Sequence, residues 1–264
     1  MTELEKQPFT AHLEELRSRL IKAFVAVAIG FLASYFFKEQ IFHILTLPLV
    51  KVMKAGDHLI YTNLPEAFFT FLKAAFISGI MLASPYLIYQ FWMFVAPGLY
   101  DKEKRFVLPI LSLSTLFFVG GALFGYFVVF PIGFKFFLSF ASETIRPMPS
   151  MKAYLGFSSK LLLAFGVAFE LPLVLTFLAK LGIVSVDLLK RYRKYAILLF
   201  FVGSAILTPP DVVTQVFMAV PMMLLYELSI IGARMFGRKK EVEEVPEEET
   251  VEDAPEATSS EKEG

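Results

Sequence analysis

Cysteine is absent from the 264 residues, and with it disulfides, thiolate chemistry and cysteine-ligated metal. The chain therefore carries no redox mark of its compartment. Histidine is scarce. His12, His43 and His58 lie in polar surface segments, show no metal-ligand spacing, and provide no base beside a nucleophilic serine. No GxxxxGK[ST] loop is present, so no nucleotide phosphate is cradled in the usual way. These absences argue against an ATPase or a hydrolase. No catalytic residue, metal, cofactor or nucleic-acid partner is expected.

What the chain has instead is apolar mass. Hydrophobic residues make up 56%, phenylalanine alone numbers 30, and mean hydropathy is +0.62, the composition of an integral membrane protein. The formal net charge of zero hides an asymmetry. Residues 241–264 hold 11 acids and one lysine; taking these from 25 of each sign leaves 14 acids and 24 bases, a net of +10, on residues 1–240. A basic membrane body thus precedes an acidic tail. The tail has Glu runs, Pro246 and Pro255, and too few apolar residues to fold, so a membrane domain 1–236 and a disordered tail 237–264 are expected.

The apolar runs predict an all-α protein with six transmembrane helices. Phe9, Leu13, Leu16 and Leu20 recur at helical spacing among charges, which reads as an amphipathic N-terminal helix at the interface. A cleaved signal peptide fits poorly, because acids crowd this leader and no small-residue cleavage site follows. Spans are expected near 21–37, 67–95, 106–130, 160–180, 195–207 and 212–232. Between the first two, 41–52 is apolar enough to fold back as a cap. The segment 131–159, rich in Pro and Ser, reads as a second excursion, and 182–194 as a cationic loop. The fifth run, Tyr195–Leu207, would cover only about 20 Å as a helix, against about 30 Å of hydrocarbon. The fifth and sixth helices are therefore expected to be short. Lys and Arg crowd the N-terminal segment, the loop at 97–105, the 182–194 loop and the segment after the last span, which puts both termini in the cytoplasm of an inner membrane.

Several polar residues stand out against this background. Glu103 sits in Asp101–Arg105, just after the helix-breaking Pro97-Gly98. Its plainer role is a charged loop that fixes topology. Glu15 has an i,i+4 partner in Arg19, so a solvated helix face is its plainer role. Glu170 lies mid-span, where a charge costs about 2.5–3.5 kcal/mol and calls for a partner or a water-filled cavity. It serves either as a hydrogen bond to a neighbouring helix or as a functional carboxylate. Thr208 and Gln215, near one end of the last two spans, read first as glue between helices. Gly121 and Gly125 form a small-xxx-small pattern suited to close packing.

HLEELRSRL at His12–Leu20, FVAPGLYDKEKR at Phe94–Arg105, FGVAFELP at Phe165–Pro172 and LTPPDVVTQ at Leu207–Gln215 together resemble the TatC family, in the same order and over roughly residues 8–236. That family is the core receptor subunit of twin-arginine protein export. The resemblance implies a receptor, not an enzyme, that binds the paired-arginine signal peptides of folded cargo through Glu15, Glu103, Phe94 and Arg17. A guanidinium offers a planar fork that a carboxylate accepts, and lysine does not. It further implies TatA- and TatB-type single-span partners docking at Thr208 and Gln215, an oligomeric complex in the bilayer, and energy from the proton-motive force. Ala205 departs from the family's polar cluster there. Glu170 matches the family's intramembrane glutamate, and Pro48, Pro209 and Asp211 match structural positions. Two other readings are a proton-coupled secondary transporter using Glu170, against which no repeated halves with broken helices are seen, and a plain membrane scaffold.

Overall fold

The computed structural model describes residues 9–54, 56–95, 107–142, 144–209 and 211–237. Among them the secondary structure is helical, with one isolated parallel bridge between Ile60 and Ser150. In order the helices are α1 (Phe9–Tyr35), α2 (Lys38–Val50), α3 (Glu66–Val95), α4 (Val107–Phe124), a π turn (Gly125–Val129), α5 (Phe130–Leu138), α6 (Met151–Lys180), α7 (Val186–Leu207) and α8 (Val212–Phe236). Four segments are long and apolar enough to cross a membrane alone: 66–94, 108–138, 151–180 and 212–236. α1, taken with α2 across its bend, makes a fifth, and α7 is the sixth long helix, roughly consistent with six spans. The acidic tail beyond residue 237 lies outside the described residues.

α6 is the hub. It packs on α4 and α8, and its Leu161 and Phe165 are buried beside Phe130 and Met218. α1 lies along α3 with their backbones almost touching at Gly30 and Gly79. A Cβ on Gly30 would come within 2.5 Å of the Gly79 carbonyl oxygen, so only glycine fits. Gly121 plays the same part between α4 and α6, where a Cβ would strike the Phe165 carbonyl.

α2 breaks from α1 at 89° and caps one face of the bundle, as the apolar stretch 41–52 predicts. Pro48 shapes it. Lacking an N–H, Pro48 cannot serve the carbonyl of Ile44 one turn back. Tyr126 serves it instead, its hydroxyl donating to Ile44 O at 2.6 Å, and Tyr154 donates to Leu45 O at 2.5 Å. Pro85 in α3 is handled locally: Ser84 donates to the orphaned Met81 carbonyl at 2.7 Å.

Three boundaries differ from the sequence expectation. Pro131 does not end the third span. The ladder shifts to i→i+5 through the π turn, with Phe130 N–H on Gly125 O, and the helix runs on to Leu138. α6 begins at Met151, not near Lys160, because Ser150 caps it by accepting from Ala153 N. The cationic loop is mostly helix. Ser185 accepts from Leu188 N as N-cap of α7, Asp187 favours the first turn, and Lys190, Arg191, Arg193 and Lys194 lie within the helix.

The fifth and sixth helices are thus not short as helices. At 22 and 25 residues they are about 33 and 38 Å long. What is short is the uncharged part of α7, which remains 195–207.

Candidate functional site

The first cluster sits where the N-terminal end of α1 meets the C-terminal end of α3. Glu15 and Arg19 are one helical turn apart, so they share a face. Arg19 donates to Glu15 Oε1 through Nε at 2.9 Å and Nη2 at 2.5 Å, and its Nη1 donates to Gln90 Oε1 at 3.3 Å. The side chains are 17% and 24% exposed, which makes this a partly buried pair. Gln90 is buried in an otherwise apolar stretch and draws the charged face of α1 onto α3. Phe94 lies half-buried one turn beyond Gln90, in the last turn of α3. Arg17 is exposed, about 200° round the helix from Arg19, and has no ion pair among the described residues. Glu103 and the loop that carries it lie outside the described residues, so the spacing of Glu15 and Glu103 is not part of this geometry.

The second cluster is an interhelical relay. Trp92, the only tryptophan, is 3% exposed and donates from Nε1 to Ser114 Oγ at 2.9 Å. Ser114 in turn donates to Glu170 Oε2 at 2.5 Å. One hydroxyl accepts from α3 and donates to α6, so the relay ties α3, α4 and α6 together. Trp92 also meets Phe177 edge to face at 4.9 Å. Glu170 Oε1 is buried with no hydrogen-bond partner among the described residues. The carboxylate is therefore anchored by one oxygen, while the other is covered by the chain's own atoms without a hydrogen bond among the described residues.

The third cluster is the corner between α7 and α8. Asp211 caps α8, accepting from Thr214 N at 2.7 Å and from the Thr214 hydroxyl. The Pro209 carbonyl accepts from Asp211 N at 2.7 Å and tightens the turn. Thr208 is buried and returns its hydroxyl to Ser204 O at 2.9 Å; Gln215 Nε2 donates to Phe201 O at 3.0 Å and ties α8 to α7. Both act as internal glue here. Ser204 Oγ is buried without a partner among the described residues. Further along the two helices Arg193 and Glu227 pair at 2.8 Å.

Sequence reasoning did not single out Gln90, Trp92, Ser114 or Glu66. Gln90 carried the same signal as Glu170, a lone polar group in an apolar run. Ser114 is one of several serines in its segment and offered no such signal.

A family model for the Sec-independent protein translocase protein (TatC) matches residues 11–221. The chain belongs to the TatC family. It is 63% identical over 242 residues to the Sec-independent protein translocase protein TatC of Desulforapulum autotrophicum, covering 92% of this chain and 90% of that one. The Escherichia coli K12 protein of the same description is 39% identical over 240 residues, covering 90% and 93%. A crystal structure of the twin arginine translocase receptor TatC superposes with a TM-score of 0.80 at 42% identity, over 86% of this chain and all of that one. TatC-family membership makes the chain a multi-pass membrane component of a protein translocase.

Proposed function

We propose that this TatC-family chain is the receptor for twin-arginine signal peptides, with Glu15, Phe94, Arg17 and Glu103 forming the recognition surface on the cytoplasmic side. The observation that carries the reading is the Glu15–Arg19–Gln90 arrangement at the end of α3 that bears Phe94. Glu15 already accepts a guanidinium through two N–H groups. An arginine of the peptide would take over the role that Arg19 fills within the chain, and Gln90 would retain Arg19 through its remaining N–H. A lysine would match the charge but not the fork.

In this reading both termini face the cytoplasm, by the Lys and Arg bias of the segments flanking the spans. TatA- and TatB-type helices pack against α7 and α8 near Thr208 and Gln215. Glu170 is the intramembrane glutamate of the assembly, held by Ser114, and the proton-motive force supplies the energy. The chain acts as a subunit of an oligomeric complex and makes or breaks no covalent bond.

The test is photocrosslinking of a twin-arginine signal peptide to the chain in membranes, with wild type, Glu15→Gln, Glu103→Gln, and a Lys-Lys peptide compared. Crosslinks are expected to fall at least tenfold in each altered case, the loss of one charge-assisted pair of about 1.5–3 kcal/mol. Undiminished crosslinking by the Lys-Lys peptide and by both variants would overturn the assignment.

A further inference from the structure

On the α2 side of the bundle, the segment 62–65 and the first turns of α3 and α6 line an open cleft of about 790 Å³. Glu66 and Thr70 are buried in its lining, which also takes Lys73 and Phe69 from α3 and Lys152 and Leu155 from α6. Glu66 holds the surrounding loops together. Its Oε2 accepts from Thr62 N at 2.8 Å and Thr62 Oγ1 at 2.9 Å, and its Oε1 from Ser150 Oγ at 2.6 Å and Lys152 N at 3.2 Å. Four donors from neutral groups thus occupy the carboxylate. Neither lysine has a carboxylate oxygen within 4 Å among the described residues, so two ammonium groups share the lining with one carboxylate already engaged by neutral donors.

Lys73 is the anomaly. It lies seven residues into α3, about 10 Å along the axis from Glu66 and within a span of high hydropathy. Its ammonium reaches α6, where a Cβ on Gly156 would stand 3.7 Å from Nζ. Its side chain is exposed near the end of the span, so the ammonium is open to an anion from outside the chain. Beside it Leu64, Phe68 and Phe69 are exposed, an apolar rim next to the two cations.

We propose that this cleft is a binding site for one anionic phospholipid from the leaflet on the α2 side. Its phosphate sits between Lys73 and Lys152, and its acyl chains run along Phe68 and Phe69. The phosphate gives Lys73 the counter-charge that the protein withholds, and the chains cover the rim. The site is independent of signal-peptide recognition, which lies at the other end of α3.

Native mass spectrometry of the full chain in non-ionic detergent tests this, with phosphatidylglycerol and phosphatidylcholine titrated separately. One phosphatidylglycerol should be retained about 30-fold more tightly than phosphatidylcholine, from about 1 kcal/mol for each of two lysines. Lys73→Gln with Lys152→Gln should abolish that preference. Lys38→Gln with Lys135→Gln, two lysines on the same side but outside the cleft, should preserve it, and so should Lys73→Arg, which keeps the charge and reports on folding. Equal affinity for the two lipids in wild type would overturn the proposal. So would an equal loss in the control pair, displacement by soluble glycerophosphate alone, or a dimer whose formation empties the site.

Discussion

Pro48 removes one N–H from α2, and the Ile44 carbonyl it leaves is met by a tyrosine 82 residues further along, in the π turn before α5. The hydroxyl gives that carbonyl a fixed partner within the fold in place of the helical N–H. Tyr126→Phe should therefore destabilise the chain by about 0.5–1.5 kcal/mol, the net worth of one hydrogen bond. The proline makes this testable as a cycle. Ala in place of Pro48 restores the helical N–H to Ile44, so Tyr126→Phe in a Pro48→Ala background should be nearly neutral. Thermal unfolding of the four proteins in detergent measures the coupling, and additive losses would show that Tyr126 has some other role. Pro48 thus acts as a docking device, exposing a carbonyl that a distant helix must meet.

At the scale of elements, Ser114 is the joint among three helices. Ser114→Ala strips the partner from Trp92 Nε1–H and from Glu170 Oε2 at once, whereas Ser114→Thr retains a hydroxyl. The alanine variant should unfold at lower temperature and shift the emission of Trp92, which has no other tryptophan to obscure it. An unchanged spectrum would remove the relay from the account. The helices themselves were legible because apolar runs of 20 or so residues have few alternatives in lipid. Glu170 was legible for the same reason, as a charge where none is tolerated without a partner. Its partner was not, since a serine costs so little in an apolar helix that position 114 does not stand out. The ends of α6 and α7 were misplaced because hydropathy marks where the membrane stops, while capping by Ser150 and Ser185 decides where the helix stops. Glu15 with Arg19 was legible from their spacing. The third member, Gln90, depends on α1 packing against α3, which spacing within one helix cannot reveal.

At the scale of the whole molecule, helix length and apolar length are different quantities, and α7 separates them. Its 22 residues are long enough to cross, but Lys190 to Lys194 bring four cations within the helix and leave 13 uncharged residues, about 20 Å, for a hydrocarbon layer of about 30 Å. α8, beside it, has no such shortage. Either the bilayer thins next to α7 or the cationic turn is drawn inward, and Arg193 is held in place by Glu227 on α8. The outward face of α7 at Leu198, Leu199, Val202 and Ile206 is exposed and apolar, so lipid or a partner helix must meet it at this mismatch. Replacing Lys190, Arg191 and Lys194 with leucine, while keeping Arg193 for its ion pair, extends the apolar surface of α7 towards full span. If local thinning is what the translocase requires, transport of folded cargo into vesicles should fall several-fold while signal-peptide crosslinking is retained. Those two readouts separate a defect at α7 from one at the proposed recognition surface on α1 and α3. Undiminished transport would mean that the cations in α7 serve topology alone, and that the short apolar face does no work on the membrane.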